Sequence, residues 1–118
     1  MSGAVSYQAG LVAEAIVAQD YARHGYPIAQ TRWRGKSGEI DLIARDGAGM
    51  IFIEVKKSRS FAQAASRLSR RQMDRLCLAA QEFVENEPLG QLTEMRFDVA
   101  LVNAEGQVRI IENAFMEA

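Results

Sequence analysis

This chain of 118 residues has little cysteine, histidine or proline: one Cys77, one His24 and two prolines. A lone cysteine rules out an internal disulfide, and its place in an apolar helical stretch marks it as a small core hydrophobe, as expected in a reducing cytoplasm. With a single histidine, no Cys/His spacing for a structural zinc can be built. No apolar run approaches 18 residues, so no transmembrane helix and no membrane partner are expected. The start, MSGAVSYQAG, has no basic segment ahead of an apolar one, so no signal peptide is expected. There is no Gly-rich phosphate loop and no internal repeat. A net charge of −1 argues against a generally basic protein that coats nucleic acid. The length and the 48% hydrophobic content fit one soluble domain spanning residues 1–118.

What the chain does have is concentrated between Gly38 and Lys56. Two runs of alternating apolar residues, Ile40/Leu42/Ala44 and Ile51/Ile53/Val55, flank a turn containing Asp46-Gly47-Ala48-Gly49. Alternation broken by an Asp-Gly turn signals a β-hairpin. A turn centred between Gly47 and Ala48 puts Asp41 directly opposite Glu54, and Glu39 opposite Lys56. All four polar side chains then share one face and the apolar partners the other. Opposed carboxylates lie about 4.5–5.5 Å apart at Cβ and repel unless a proton, a protein cation or a metal ion intervenes. Lys56 supplies part of that relief, and a hard cation such as Mg²⁺ could supply the rest. A solvated ladder of ion pairs is the competing reading.

The remaining chain reads as a helix over 6–24, an extended segment over 27–33, a helix beginning near Gln63 or Ser69 and ending near Glu87, and strands over 95–102 and 108–111. The order is αβββαββ, an α/β class in which a mixed sheet is flanked by helices and the second helix is long enough to act as a crossover. Glu14 falls on the apolar side of the first helix, where a charge is expected to be paired or to bind a metal. Between Arg32 and Arg75 lie 11 of the 14 basic residues but only 5 of the 15 acidic ones. Such a basic middle is either a phosphate-binding face or the solvated side of a helix.

Asp41…Glu54-Val55-Lys56 resembles the D…ExK pattern of the PD-(D/E)XK nuclease superfamily. Together with Gly10…Glu14, Gly38-Glu39-Ile40-Asp41-Leu42-Ile43-Ala44, Phe52-Ile53-Glu54-Val55-Lys56, Arg96-Phe97-Asp98-Val99 and Asn113-Ala114-Phe115, it is similar over nearly its whole length to the YraN-like family of small bacterial proteins of uncharacterised function. That resemblance implies a restriction-endonuclease-like fold, close to archaeal Holliday-junction resolvases. It implies an endonuclease that hydrolyses DNA phosphodiesters with Mg²⁺ or Mn²⁺, on branched or structured DNA, in the cytoplasm and as a possible homodimer. It makes Glu14, Asp41, Glu54 and Lys56 catalytic, with Asp41, Glu54, the Val55 carbonyl and Glu14 as metal ligands. Arg32, Arg34, Lys36, Lys57, Arg70, Arg71 and Gln72 become nucleic-acid contacts, Gln72 standing where the family commonly carries a lysine. The alternative is a non-catalytic nucleic-acid- or protein-binding module that retains the nuclease fold.

Overall fold

A computed structural model describes residues 3–114; Phe115, named above, lies outside them. Helix α1 (Gly3–Arg23) leads into strands β1 (Ile28–Arg34), β2 (Glu39–Asp46) and β3 (Gly49–Lys57). Helices α2 (Phe61–Ser66) and α3 (Arg70–Val84) and a 3₁₀ turn (Gly90–Leu92) carry the chain to β4 (Met95–Val102) and β5 (Val108–Ile111). The five strands form one mixed sheet in sequence order, antiparallel throughout except for the parallel β3–β4 pair. The parallel pair is joined by the helical crossover that such a connection requires.

The crossover holds two helices where the sequence suggests one. Arg67 ends α2, its N–H turning back to Ala64 and Ala65. Ser69 then opens α3 with a capping box: its hydroxyl accepts from Gln72 N, while the Gln72 side chain accepts from Ser69 N. Two reciprocally satisfied backbone donors make a firm start signal, so the observed order is αβββααββ.

The β2–β3 hairpin has the anticipated register from Leu42↔Ile53 to Asp46↔Gly49. Gly47 sits at φ +59, as the first central position of a type II′ turn requires. One sheet face is covered by α1: Ala13, Val17 and Tyr21 pack on Leu42, Ala44, Ile51, Ile53, Ala100 and Val102. The opposite face carries α3, with Leu76, Ala79, Ala80, Phe83 and Val84 on Ile43, Met50 and Phe52. On that same face Ala64 of α2 packs on Val99 and Leu101. Phe52 is fully buried, stacked on Phe97 and edge-on to Phe83. Burying a side chain of that size is worth about 2–3 kcal/mol, and Phe52 joins sheet to α3 near the centre of the layer.

Alternation fails at one place. Ile40 belongs to the α3-side core and Leu42 to the α1-side core, although two residues apart they should share a face. The strands stop pairing at this level, and the candidate site lies there.

Candidate active site

The expected ladder pair of Asp41 with Glu54 does not form, because the β2–β3 register ends at Leu42↔Ile53. Continued register would bring Ile40 opposite Val55. Instead Ile40 turns to the α3 side, and the Asp41 side chain moves into the gap, where Oδ2 accepts the Val55 N–H at 2.9 Å. A carboxylate thus takes the place of a backbone carbonyl. A strand residue presents its N–H and C=O to the same side, so the Val55 carbonyl faces this gap as well. The neighbouring strand is irregular at the same level: Arg32, between the paired Thr31 and Trp33, adopts φ +51. That conformation is costly for any residue with a Cβ.

Three elements bring acidic groups to the gap. Glu54 projects to the α3 face beside Phe52, and its carboxyl hydrogen-bonds to Asp41. Burial first, then the Asp41 hydrogen bond and charge, push the Glu54 pKa up to about 8; nearby Lys56 acts in the opposite direction and Glu14 adds to the rise. Such a shift is that of a buried carboxyl beside a second acidic group. Lys56 Nζ lies 4.0 Å from Glu54 Oε1, with the two side chains only 15% and 17% exposed. From α1, Glu14 approaches Asp41, and desolvation is the main cause raising its pKa. Its Oε1 accepts from Arg32 Nε at 2.9 Å, and the pair is half-buried.

The Glu54 side opens into a cleft of about 210 Å³ lined by Gly38, Glu39, Glu54, Gln72, Arg75 and Leu76. Arg75 ends the basic middle of the sequence but is not among the expected site residues. It lines this cleft from α3 and makes no ion pair within 4.0 Å among the described residues. The signal that could have found it is its place beside Leu76, at the edge of the buried stripe of α3. Gln72 reaches the same cleft from the capping box.

Of the expected phosphate contacts, Arg34 pairs with Glu39 at 3.1 Å and Arg70 with Asp74 at 3.5 Å. Lys36 and Arg71 are exposed. The loop at Lys36 is fixed by Glu82, whose carboxylate accepts Lys36 N at 2.8 Å and Ser37 N at 2.7 Å. Lys57 lies beyond the gap at a separate cleft.

Among the described residues no three His, Cys, Asp or Glu side chains are already grouped to hold a metal ion. Arg32 draws Glu14 aside, and only Asp41 and Glu54 converge. That pair nevertheless suits a hard cation such as Mg²⁺, which takes one or two carboxylates and fills its remaining positions with water and substrate oxygens. A divalent ion would relieve the repulsion now relieved by a proton.

Residues 13–102 match the model of the family described as "Uncharacterised protein family UPF0102". This chain belongs to the UPF0102 family. A UPF0102 protein of Cereibacter sphaeroides (strain ATCC 17029) is 69% identical over 115 residues, covering 98% of both chains. One from Ruegeria pomeroyi is 57% identical over 113 residues, 96% of this chain and 92% of its own. A third, from Roseobacter denitrificans, is 53% identical over 116 residues, covering 98% and 90%. The matched region of this UPF0102 chain includes Glu14, Asp41, Glu54, Lys56 and Arg75. No helix of the described residues is long and apolar enough to cross a membrane.

Proposed function

We propose that this protein is a metal-dependent endonuclease of restriction-endonuclease-like fold that hydrolyses DNA phosphodiesters, with branched or otherwise structured DNA as its substrate. The observation that carries this reading is the half-buried pair of neighbouring carboxyls Asp41 and Glu54, flanked by Lys56, where β2 and β3 part. A stability device would have continued the ladder; this one breaks the register and keeps two carboxyls close together.

Asp41, Glu54 and the Val55 carbonyl would hold Mg²⁺ or Mn²⁺, with Glu14 joining when it leaves Arg32. The bound ion supplies Lewis acidity toward the phosphoryl oxygens and lowers the pKa of water. The protein's own groups do the rest. The Val55 N–H fixes the Asp41 carboxylate, so that its second oxygen remains directed by the strand rather than by solvent. Lys56, held beside Glu54, positions the attacking water and offsets charge that builds on the phosphorus substituents. Arg75 faces Glu54 from the opposite wall, where a phosphate bridging the cleft meets a guanidinium suited to two-pronged contact.

The test is cleavage of a labelled panel (duplex, single strand, flap and four-way junction) in Mg²⁺ and in Mn²⁺. Unaltered protein and Lys56→Ala are purified identically and run together. Cleavage by the unaltered protein alone is expected, with the preferred member of the panel identifying the substrate. Equal cleavage by both would expose a contaminant or a wrong catalytic lysine. A second reading, a non-catalytic binding module, draws on the internal pairing of Arg32 and Arg34 with Glu14 and Glu39. It predicts junction binding without cleavage that survives Asp41→Ala.

A further inference from the structure

We infer that the cleft beyond the end of β3 is a phosphate subsite for the DNA strand that passes the carboxylate pair, an inference that rests on the nuclease reading. The cleft, about 410 Å³, is lined by Lys57, Ser58, Arg59, Gln63, Arg67 and Ala104. Three of these six residues are cationic and none is acidic. Several basic side chains elsewhere are matched within the fold, Arg23 with Asp20, Arg32 with Glu14, Arg34 with Glu39, Arg45 with Glu87 and Arg96 with Asp98, whereas the unmatched Lys36, Arg71, Arg75 and Arg109 do not line this cleft. Lys57 and Arg59 have no such partner among the described residues, and Arg67 donates only to the Lys57 carbonyl, at 3.3 Å. Gathering cations without counter-ions raises the energy of the folded state by mutual repulsion, and a polyanion removes that repulsion on binding.

The walls are held by main-chain bonds that do not depend on the cationic side chains. Ser58 N donates to Val102 O at 3.0 Å, tying the exit of β3 to β4. Ser60 caps α2 through Gln63 N, and the Ser58 hydroxyl donates to Gln63 Oε1 at 3.2 Å. Helix α2 lies on the same sheet face as α3, the face to which Glu54 and Lys56 project. The α2 wall of the cationic cleft therefore lies on the side toward which Glu54 and Lys56 project.

The separation of carboxyl pair and cleft sets the register of the substrate. Three residues of strand from Glu54 to Lys57 span about 10 Å at 3.3 Å per residue. Phosphates of one strand wind around the helix axis, so neighbours are further apart through space than their axial rise of about 3.4 Å. A strand whose scissile phosphate lies at the Asp41–Glu54 pair then lays a phosphate one or two nucleotides away into the cleft. Such contacts position the backbone and carry no sequence preference.

The experiment measures binding of a fluorescent DNA duplex by anisotropy over a salt series, for the unaltered protein, Arg59→Ala/Arg67→Ala and Arg23→Ala. Arg23 is an exposed arginine at the end of α1, on the other face, and its replacement removes one unit of charge, as Arg59→Ala alone does. The double variant is expected to bind about tenfold more weakly per lost contact at 0.1 M salt, with the slope of log K against log salt shallower by about 2. Arg23→Ala is expected to match the unaltered protein. Arg59→Ala alone, a side chain without a bonded partner, gives half the slope change and keeps the test open should the double variant fold poorly. An unchanged slope in a protein that binds DNA overturns the subsite and leaves the nuclease reading standing. An equal loss in Arg23→Ala also overturns it, since overall charge then accounts for the effect. Absence of DNA binding by the unaltered protein overturns both.

Discussion

Glu54→Gln keeps the size of the side chain and a hydrogen-bond donor toward Asp41, but removes the group that titrates. In the folded protein that group is pushed up to about 8 from an ordinary 4.5. A carboxyl whose folded pKa exceeds its unfolded one keeps its proton where the unfolded chain has already lost it. Its stabilising contribution is therefore complete below about pH 4.5 and lost as the pH rises toward 8. At about 1.4 kcal/mol per pKa unit, the unaltered protein loses at most about 5 kcal/mol relative to Glu54→Gln across that window. The emerging charge meets Lys56, which attracts it, and Asp41 and Glu14, which repel it. Because solvent and local relaxation screen the charge that emerges at Glu54, we expect about 2 kcal/mol of this loss to be observed. For a chain of this size that is a shift of roughly 8 °C in Tm. The assay is thermal unfolding by circular dichroism between pH 5 and 9 in chelator, with both proteins in the same buffers. The Tm of the unaltered protein should fall relative to the variant over that range. Mg²⁺ should then restore more Tm at pH 8.5 than at pH 6, because a cation competes with the proton for the same oxygens. Parallel profiles for the two proteins would refute a proton held at Glu54.

Arg32→Ala breaks a half-buried ion pair and should cost about 2–3 kcal/mol in urea unfolding, whereas Arg32→Gly should cost about 1 kcal/mol less, because φ +51 is free of penalty only for glycine. A Cβ at Gly35 would meet the Trp33 ring at 2.7 Å and Glu82 Oε2 at 2.8 Å. Gly35→Ala is therefore expected to lower stability by about 2 kcal/mol and to loosen the Lys36–Ser37 loop, read as faster amide exchange at Lys36 and Ser37. Tyr21→Phe removes the donor that reaches buried Asp98 Oδ2 at 2.7 Å and should cost about 1–3 kcal/mol, measured by the same unfolding curves, while leaving the proposed cleavage unchanged.

Much of the scaffold can be read from local rules. Asp46-Gly47 sets the turn, and the turn carries the register as far as Leu42↔Ile53, because pairing propagates outward from a tight hairpin. Ser69-x-x-Gln72 contains the break between α2 and α3, yet a continuous apolar pattern hides it until the capping box is recognised. Glu14 on an apolar stripe announces a partner without naming it; Arg32 supplies that partner from another element, and no spacing in sequence encodes the pair. The same holds for Asp98, fully buried and held by Tyr21, Arg96 and the Asn113 N–H. Arg96 is its neighbour along β4, but the other two donors come from α1 and from the turn after β5, which no spacing along the strand announces.

The departures from local rules have a pattern of their own. Arg32 at positive φ, Ile40 on the other face, Asp41 bonded to a backbone N–H and Glu54 buried beside a second carboxyl all occur at the level where β2 leaves β3. The strained Arg32 backbone and the crowded carboxyls raise the energy of the folded state, and each could be avoided by running the ladder one pair further. A sheet selected for stability alone would place a β-branched residue at 41 and close Ile40 against Val55. That would satisfy the Val55 N–H with a carbonyl and leave no gap. Concentrating such costs at one level is what a site demands, since carboxylates useful to a phosphodiester must be close enough to repel and buried enough to hold their positions.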